Sequence, residues 1–266
     1  MPQITVNDIN IYYEIHGEDD GFPLVMIMGL AANSDWWGEE LIDVLSKKFK
    51  VIIFDNRGAA RTNNDRDFTM NDLAKDTVDL MDALDVKKAN ILGISLGGMI
   101  AQEFALNYPE RVNKLVLCST MCGGAKYVPP SKIVLDNLVK GRQGVTIEQF
   151  VKASIKILFT NNFIKNNPDK IEETIQVVLK HPISEETYQR QLKAVLGFNA
   201  SRRLKTIKIP TLVMHGKKDI LIPCQNGENI AKLIPESKLV LFENSAHALF
   251  SEESDIVTTE LTNFLD

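Results

Sequence analysis

Cysteine is scarce in this chain. Only Cys118, Cys122 and Cys224 occur among 266 residues, too few and too scattered for a disulfide framework. Cys118 and Cys122 have no second pair of ligands at zinc spacing, so no metal is expected. Three reduced thiols in a cytoplasmic protein is the expectation. No apolar run approaches the ~20 residues of a membrane span. The stretch Met1 to Tyr13 has no basic segment leading into an apolar one, so no secretory signal is expected. Excess basic charge is missing too. Thirty Lys+Arg against 35 Asp+Glu leave a net charge of −5, which gives no support for nucleic-acid binding through general basicity. Fifteen glycines and ten prolines are too few for a collagenous or disordered chain. What is present is ordinary globular material, 44% hydrophobic and 24% charged, ample for a buried core. At about 150 residues per domain the length corresponds to ~1.8 domains, either one large domain or one with a sizeable addition.

The first apolar segments, Ile4–Val6 and Ile9–Ile15, flank the turn-prone pair Asn7-Asp8 and predict a β-hairpin. Leu24–Met28, Val51–Phe54, Ile91–Ile94, Leu115–Cys118, Thr211–Met214 and Leu239–Phe242 are apolar at nearly every position. Such runs suit strands buried on both faces, as in a parallel sheet. Between them, residues 35–48, 70–85, 97–108 and 251–265 carry helical patterns, the second with Thr69 and Asp72 as its N-terminal cap. Alternating strand and helix predicts an α/β fold with a mostly parallel sheet flanked by helices. The alternation breaks between about 122 and 205. There Thr146 and Gln149 fit a capping box, Asn167-Pro168-Asp169 a helix start, and 185–197 an amphipathic run. The expected organisation is a core of residues 1–121 and 206–266 with a helical cap, 122–205, inserted between two strands.

The sharpest motif is Gly93-Ile94-Ser95-Leu96-Gly97, directly after an apolar run. This G-x-S-x-G pattern places a serine on a tight strand-to-helix turn, where side chains two residues before and after it would clash. The following helix aims its N-terminus at the site and favours developing negative charge. Gly98 keeps that helix close to the sheet. A serine nucleophile needs a base and an acid, which follow in the chain order Ser, Asp or Glu, His. His247 lies in a polar loop after the final strand and is the base. Asp219, in the loop after Thr211–Met214, orients the imidazole and stabilises its protonated form. The loop one strand earlier, Ser119-Thr120-Met121-Cys122, offers no carboxylate. His215 reads as a strand-end residue shaping the acid loop, and His16 and His181 as surface residues. The backbone N–H groups of Leu30 and Leu96 are the expected oxyanion donors. Met28, Trp36 and Met121, with Leu30 and apolar residues of the insertion, are candidates for a substrate pocket.

With these residues in place the chain resembles the α/β-hydrolases that carry a helical cap. It is similar to the branch of small esterases that includes 3-oxoadipate enol-lactonases and cofactor-free haloperoxidase-like enzymes. The matching segments are Met28-Gly29-Leu30 with Asp35-Trp36-Trp37, Phe54–Gly58, Gly93–Ala101, Tyr108–Val112, Gly216–Asp219 and Ala246-His247. The similarity spans the chain outside the insertion. The chain departs from the family in three places. Met28-Gly29 stands where many relatives have His-Gly, Ala59 to Thr62 replace a glycine and a serine after Asp55, and Ala246 replaces the glycine before the histidine. These positions shape loops and remove no reacting group. Serine at position 95 argues against haloalkane dehalogenases, which use aspartate there.

The resemblance and the residues together imply a cytoplasmic serine hydrolase that cleaves carboxylic esters of small, largely apolar substrates through an acyl-enzyme. No cofactor, no metal, no nucleic acid and no membrane partner are expected, and a homodimer is left open. An enol-lactone or carbon–carbon bond hydrolase is the alternative within the class, and a low-turnover ligand-binding receptor the alternative outside it. Arg57 would suit an anionic substrate, or serve in a structural salt bridge.

Overall fold

The computed structural model describes residues 2–64 and 66–266. Among them eight strands form one sheet: β1 (Gln3–Val6), β2 (Ile9–His16), β3 (Phe22–Ile27), β4 (Phe49–Phe54), β5 (Ala89–Ile94), β6 (Val112–Cys118), β7 (Thr211–Gly216) and β8 (Lys238–Phe242). Their order is β1-β2-β4-β3-β5-β6-β7-β8. The opening hairpin is antiparallel, and β2 joins β4 antiparallel. Every later pairing is parallel.

The continuous apolar runs are buried on both faces except at the edge strand β8, where Leu239, Val240 and Leu241 are half-buried. Leu24 and Met26 of β3 pack with Leu45 of α1 (Glu39–Ser46) and Leu261 of α11 (Ser254–Leu265). Val25 and Ile27, pointing the other way, pack with Leu73 of α2 (Met70–Ala83) and Phe104 of α3 (Leu96–Asn107). Each large side chain so buried contributes about 1.5–3 kcal/mol. Helix α3 carries buried residues from Leu96 through Ala105, as expected of a helix that is apolar all round and lies in the core.

Between β6 and β7 the chain is helical: α4 (Lys132–Lys140), α5 (Ile147–Leu158), α6 (Asn161–Asn166), α7 (Pro168–Lys180) and α8 (Glu185–Gly197). Thr146 and Gln149 form the expected capping box of α5, and Pro168 starts α7. Val151 and Ile155 of α5 and Phe159 pack on Ile171 and Ile175 of α7 in a cluster separate from the sheet's two cores.

Two local readings differ from the structure, and one helix has no reading at all. The helix expected over 35–48 is two pieces, a 3-10 turn at Ser34–Trp37 and then α1, because Gly38 between them sits at φ 74°. The helix expected over 251–265 is α10 (Leu249–Glu252) followed by α11. Glu253 breaks it, and its carboxylate turns back to accept from Asn244 N and Ser245 Oγ. Helix α9 (Gln225–Leu233), between β7 and β8, has no apolar stripe to announce it, since its buried residues are Asn226, Gly227 and Ile230.

Candidate active site

Ser95 stands at the end of β5 and is the residue from which α3 starts. Its backbone is held at φ 57°, ψ −121°, a conformation that costs a non-glycine residue of order 1–3 kcal/mol. The surroundings enforce it. Ser95 N donates to Cys118 O at 2.9 Å, and Ser95 O accepts from Gly98 N at 3.0 Å and Thr120 Oγ1 at 2.7 Å. A Cβ at Gly93 would lie 2.2 Å from Gly97 O, and one at Gly97 would lie 2.0 Å from Ile27 O. The two glycines flanking the serine are therefore steric requirements of the turn. A Cβ at Gly98 would fall 2.7 Å from the Thr120 side chain, so the third glycine sets how closely α3 lies against the loop after β6.

His247 and Asp219 come together from the loops after β8 and β7. His247 Nδ1 lies 2.7 Å from Asp219 Oδ2, and both residues are buried. Asp219 Oδ1 accepts from Leu221 N at 2.9 Å and Ile222 N at 2.8 Å. Burial alone would raise the Asp219 carboxyl. The charge and hydrogen bonds of His247 and His215 outweigh burial and hold it well below the usual carboxylate range. It therefore stays charged and fixes the proton of His247 on Nδ1, leaving Nε2 as the basic nitrogen. His215 shapes the acid loop, with Nε2 2.8 Å from Ile222 O and 3.3 Å from Asp219 Oδ2. The loop after β6 supplies no carboxylate. Ser119 Oγ instead donates to the His247 carbonyl at 3.1 Å.

The loop after β3 approaches the serine closely: a Cβ at Gly29 would lie 3.1 Å from Ser95 Cβ. Among the described residues neither Leu30 N nor Leu96 N donates to a protein acceptor. Behind this loop Asp55 accepts from Ser34 N, Ser34 Oγ and the Arg61 guanidinium. Arg61 also lies 3.8 Å above the Tyr12 ring. Arg57 is buried in a two-pronged pair with Asp76, at 2.8 and 2.6 Å, so it serves the fold. His16 is half-exposed and pairs with Glu14 at 3.0 Å, and His181 is half-exposed.

A cleft of about 1520 Å³ joins these loops to the helices between β6 and β7. Ser95, His247, Leu30, Leu96, Met28, Trp36 and Met121 all face it, and Asp219 stands behind His247. Phe150, Tyr188 and Val195 line it from the helices between β6 and β7. No group of three or more His, Cys, Asp or Glu side chains placed to hold a metal occurs among the described residues. No helix there is long and apolar enough to cross a membrane.

One contributor escapes the sequence reading. Glu252 of α10 accepts from Thr160 N at 2.8 Å and Thr160 Oγ1 at 2.7 Å with one oxygen, and from Ala246 N with the other. Ala248 N donates to Leu158 O at 3.0 Å. His247 is thus bracketed by two ties to the end of α5. The only sequence signal is a pair of glutamates, Glu252 and Glu253, inside an otherwise ordinary terminal helix.

A sequence profile described as alpha/beta hydrolase fold matches residues 23–254. The chain is similar to the putative carbamate hydrolase RutD of Azorhizobium caulinodans, 27% identical over 99% of this chain and 98% of that one. It has the same identity to the protein of that name from Agrobacterium fabrum, over 96% and 98%. Among solved structures it superimposes on the enol-lactonase from Burkholderia xenovorans with a TM-score of 0.89 at 24% identity, covering 99% of both chains. It superimposes on a thermophilic esterase from Thermogutta terrifontis with a TM-score of 0.82 at 26% identity, over 99% and 97%. On the turn at Ser95, the order of strands and these matches, the chain belongs to the alpha/beta hydrolase fold family.

Proposed function

We propose that the protein is a serine hydrolase that cleaves carboxylic esters of small, largely apolar substrates through an acyl-enzyme. The observation that carries this is the Asp219–His247 contact of 2.7 Å, on the same apolar cleft that the strained Ser95 lines. His247 Nε2 takes the Ser95 proton as Oγ attacks the ester carbonyl. The Leu30 and Leu96 N–H groups, with the N-terminus of α3, stabilise the oxyanion of the tetrahedral intermediate. His247 then protonates the leaving alcohol, and the same histidine activates the water that hydrolyses the acyl-enzyme. Apart from substrate and water, every group in this cycle belongs to the chain. The helices of 122–205 act as the cap that selects the substrate, and the enzyme works in the cytoplasm on a small molecule, with neither nucleic acid nor membrane as partner.

The Thermogutta terrifontis relative, described as an esterase, supports the ester reading. The RutD relatives favour a second, carbamate hydrolysis, which places a nitrogen on the same acyl carbon. The apolar lining contributed by Met28, Leu30, Phe150 and Val195 suits an apolar ester better than a small charged carbamate. Arg57, held by Asp76, offers no cation to an anionic lactone.

Hydrolysis of p-nitrophenyl acetate and butyrate, run beside a carbamate and a lactone, tests the proposal. Ester turnover should fall by about 10³-fold or more in Ser95→Ala, and a fluorophosphonate should label Ser95. Wild-type protein with neither turnover nor label would falsify the enzyme reading, and turnover of the carbamate alone would replace the ester.

A further inference from the structure

Gln191 is a polar residue in the middle of an apolar stripe. On α8 the neighbours that share its buried face are Tyr188, Leu192 and Val195, and Gln191 itself has no exposed surface. A buried primary amide is costly unless it is hydrogen-bonded. Its Oε1 accepts the N–H of Ala31 at 2.9 Å. Its Nε2 has no partner among the described residues. Because Ala31 offers a donor, the amide oxygen must face it. The side chain is therefore held by its acceptor half alone, across the junction between the helices of 122–205 and the sheet.

The atom it holds lies next to the oxyanion loop. Peptide groups are planar, so a loop's shape is set by the orientation of successive planes. Asn56, also buried, donates from Nδ2 to Met28 O at 2.9 Å and fixes the plane between Met28 and Gly29. Gln191 fixes the plane between Leu30 and Ala31. Between these two anchors lies the plane Gly29–Leu30, which carries the Leu30 N–H and whose own carbonyl accepts a long bond, 3.4 Å, from Ala32 N. Ala31 sits at φ 64°, a conformation unusual for a residue with a side chain. The Gln191 contact offsets that strain. Leu30 and Ala31 also pack against the Tyr188 and Leu192 cluster of the same helix.

We propose that Gln191 is a positioning residue for the oxyanion hole: by holding Ala31 N–H it aims Leu30 N–H at the developing oxyanion, so transition-state stabilisation depends on how α8 is seated. This rests on the reading of Ser95 as an acyl nucleophile. Seating of α8 and rate become coupled, because a substrate that displaces α8 also disorients a donor.

The test uses Gln191→Met, which keeps the length and loses the acceptor, and Gln191→Asn, which keeps the amide and falls one methylene short of Ala31. The probes are p-nitrophenyl butyrate and an alkyl trifluoromethyl ketone. Ser95 Oγ adds to the ketone carbon, the carbonyl electron pair moves to oxygen, and the proton passes to His247, so the adduct carries the tetrahedral oxyanion. Losing a whole donor costs about 10²–10³ in kcat, and a misaimed one is expected to cost about tenfold or more. KM for the ester should stay within about twofold, and the ketone inhibition constant should rise by the same factor as kcat falls. A purely structural glutamine predicts the opposite split, with KM raised and the ketone and ester weakened together. That split, or a folded variant with unchanged kcat, overturns the proposal, as does failure of both variants to fold. The two readings separate in wild type. Ester turnover and Ser95 labelling with unaffected Gln191 variants sink only this inference, whereas their absence in wild type sinks the enzyme reading itself.

Discussion

The two walls of the cleft are built differently. On the sheet side, the backbone of Ser95 and the carboxylate of Asp219 are held by several short contacts. Asp219 receives two backbone N–H groups and two imidazoles, and Ser95 is pinned through both its N–H and its carbonyl. On the helical side, α5 and α7 meet through a small cluster around Val151, Ile155 and Ile175, ringed by half-buried Leu158, Phe163 and Val178. Side chains of that kind fill space and exclude water without fixing any one atom. On the proposed function, the contrast separates chemistry from selection, with Gln191 the exception. The sheet wall then admits one arrangement of Ser95, His247 and Asp219, while the rest of the helical wall tolerates change in what it accepts.

That division predicts how substitutions distribute. On the sheet wall, Asp219→Asn leaves the shape intact and removes the charge that fixes the His247 tautomer. A loss of about 10⁴ in kcat is expected for every ester tried, with KM nearly unchanged. Steady-state kinetics on acetate and butyrate esters check it. A loss that differs sharply between the two esters would break the separation of walls.

The same residue makes the sheet wall sensitive to acid in a defined direction. The unfolded Asp219 carboxyl protonates at about 3.9, whereas in the native site it is held lower by His247 and His215 against the cost of burial. The unfolded state therefore binds the proton first as pH falls, and stability is lost below pH ~4. Above that value the contribution is fully present. Denaturant unfolding at a series of pH values should show wild type losing more stability than Asp219→Asn in that acid range. Parallel curves would mean that the buried carboxylate is not charged in the native protein.

The legibility of the two walls in the sequence follows the same line. Strands at Leu24–Met28 and Ile91–Ile94 were readable because burial on both faces demands apolar residues at every position. The serine turn was readable because its steric limits, 2.2 Å at Gly93 and 2.0 Å at Gly97, allow glycine alone. His247 and Asp219 followed from chain order. Glu252 and Gln191 were not readable, since each acts by a hydrogen bond to a backbone atom distant in sequence, and such bonds leave no periodicity and no motif. Helix α9 was hidden for a related reason. Its inner face includes Gly227, which is small because a Cβ there would lie 2.7 Å from His215 Nδ1.

The mildest expected effect lies on the helical wall and tests the comparison from its other side. Tyr188 is buried on α8, and its hydroxyl donates to Leu138 O at 2.7 Å. Leu138 is in the last turn of α4, where carbonyls have no helical partner. Its oxygen therefore depends on that phenol. Tyr188→Phe removes the donor and keeps the ring against Phe150, so it should cost about 1 kcal/mol of unfolding free energy, rising toward ~3 if water cannot reach the freed carbonyl. Denaturant unfolding reads that loss directly. Because the phenol touches no reacting group, kcat on p-nitrophenyl acetate should remain within about twofold of wild type. A variant that kept its stability but lost kcat would show that α8 transmits to the oxyanion loop through Tyr188 as well as through Gln191, and the helical wall would then belong to the chemistry as much as the sheet wall does.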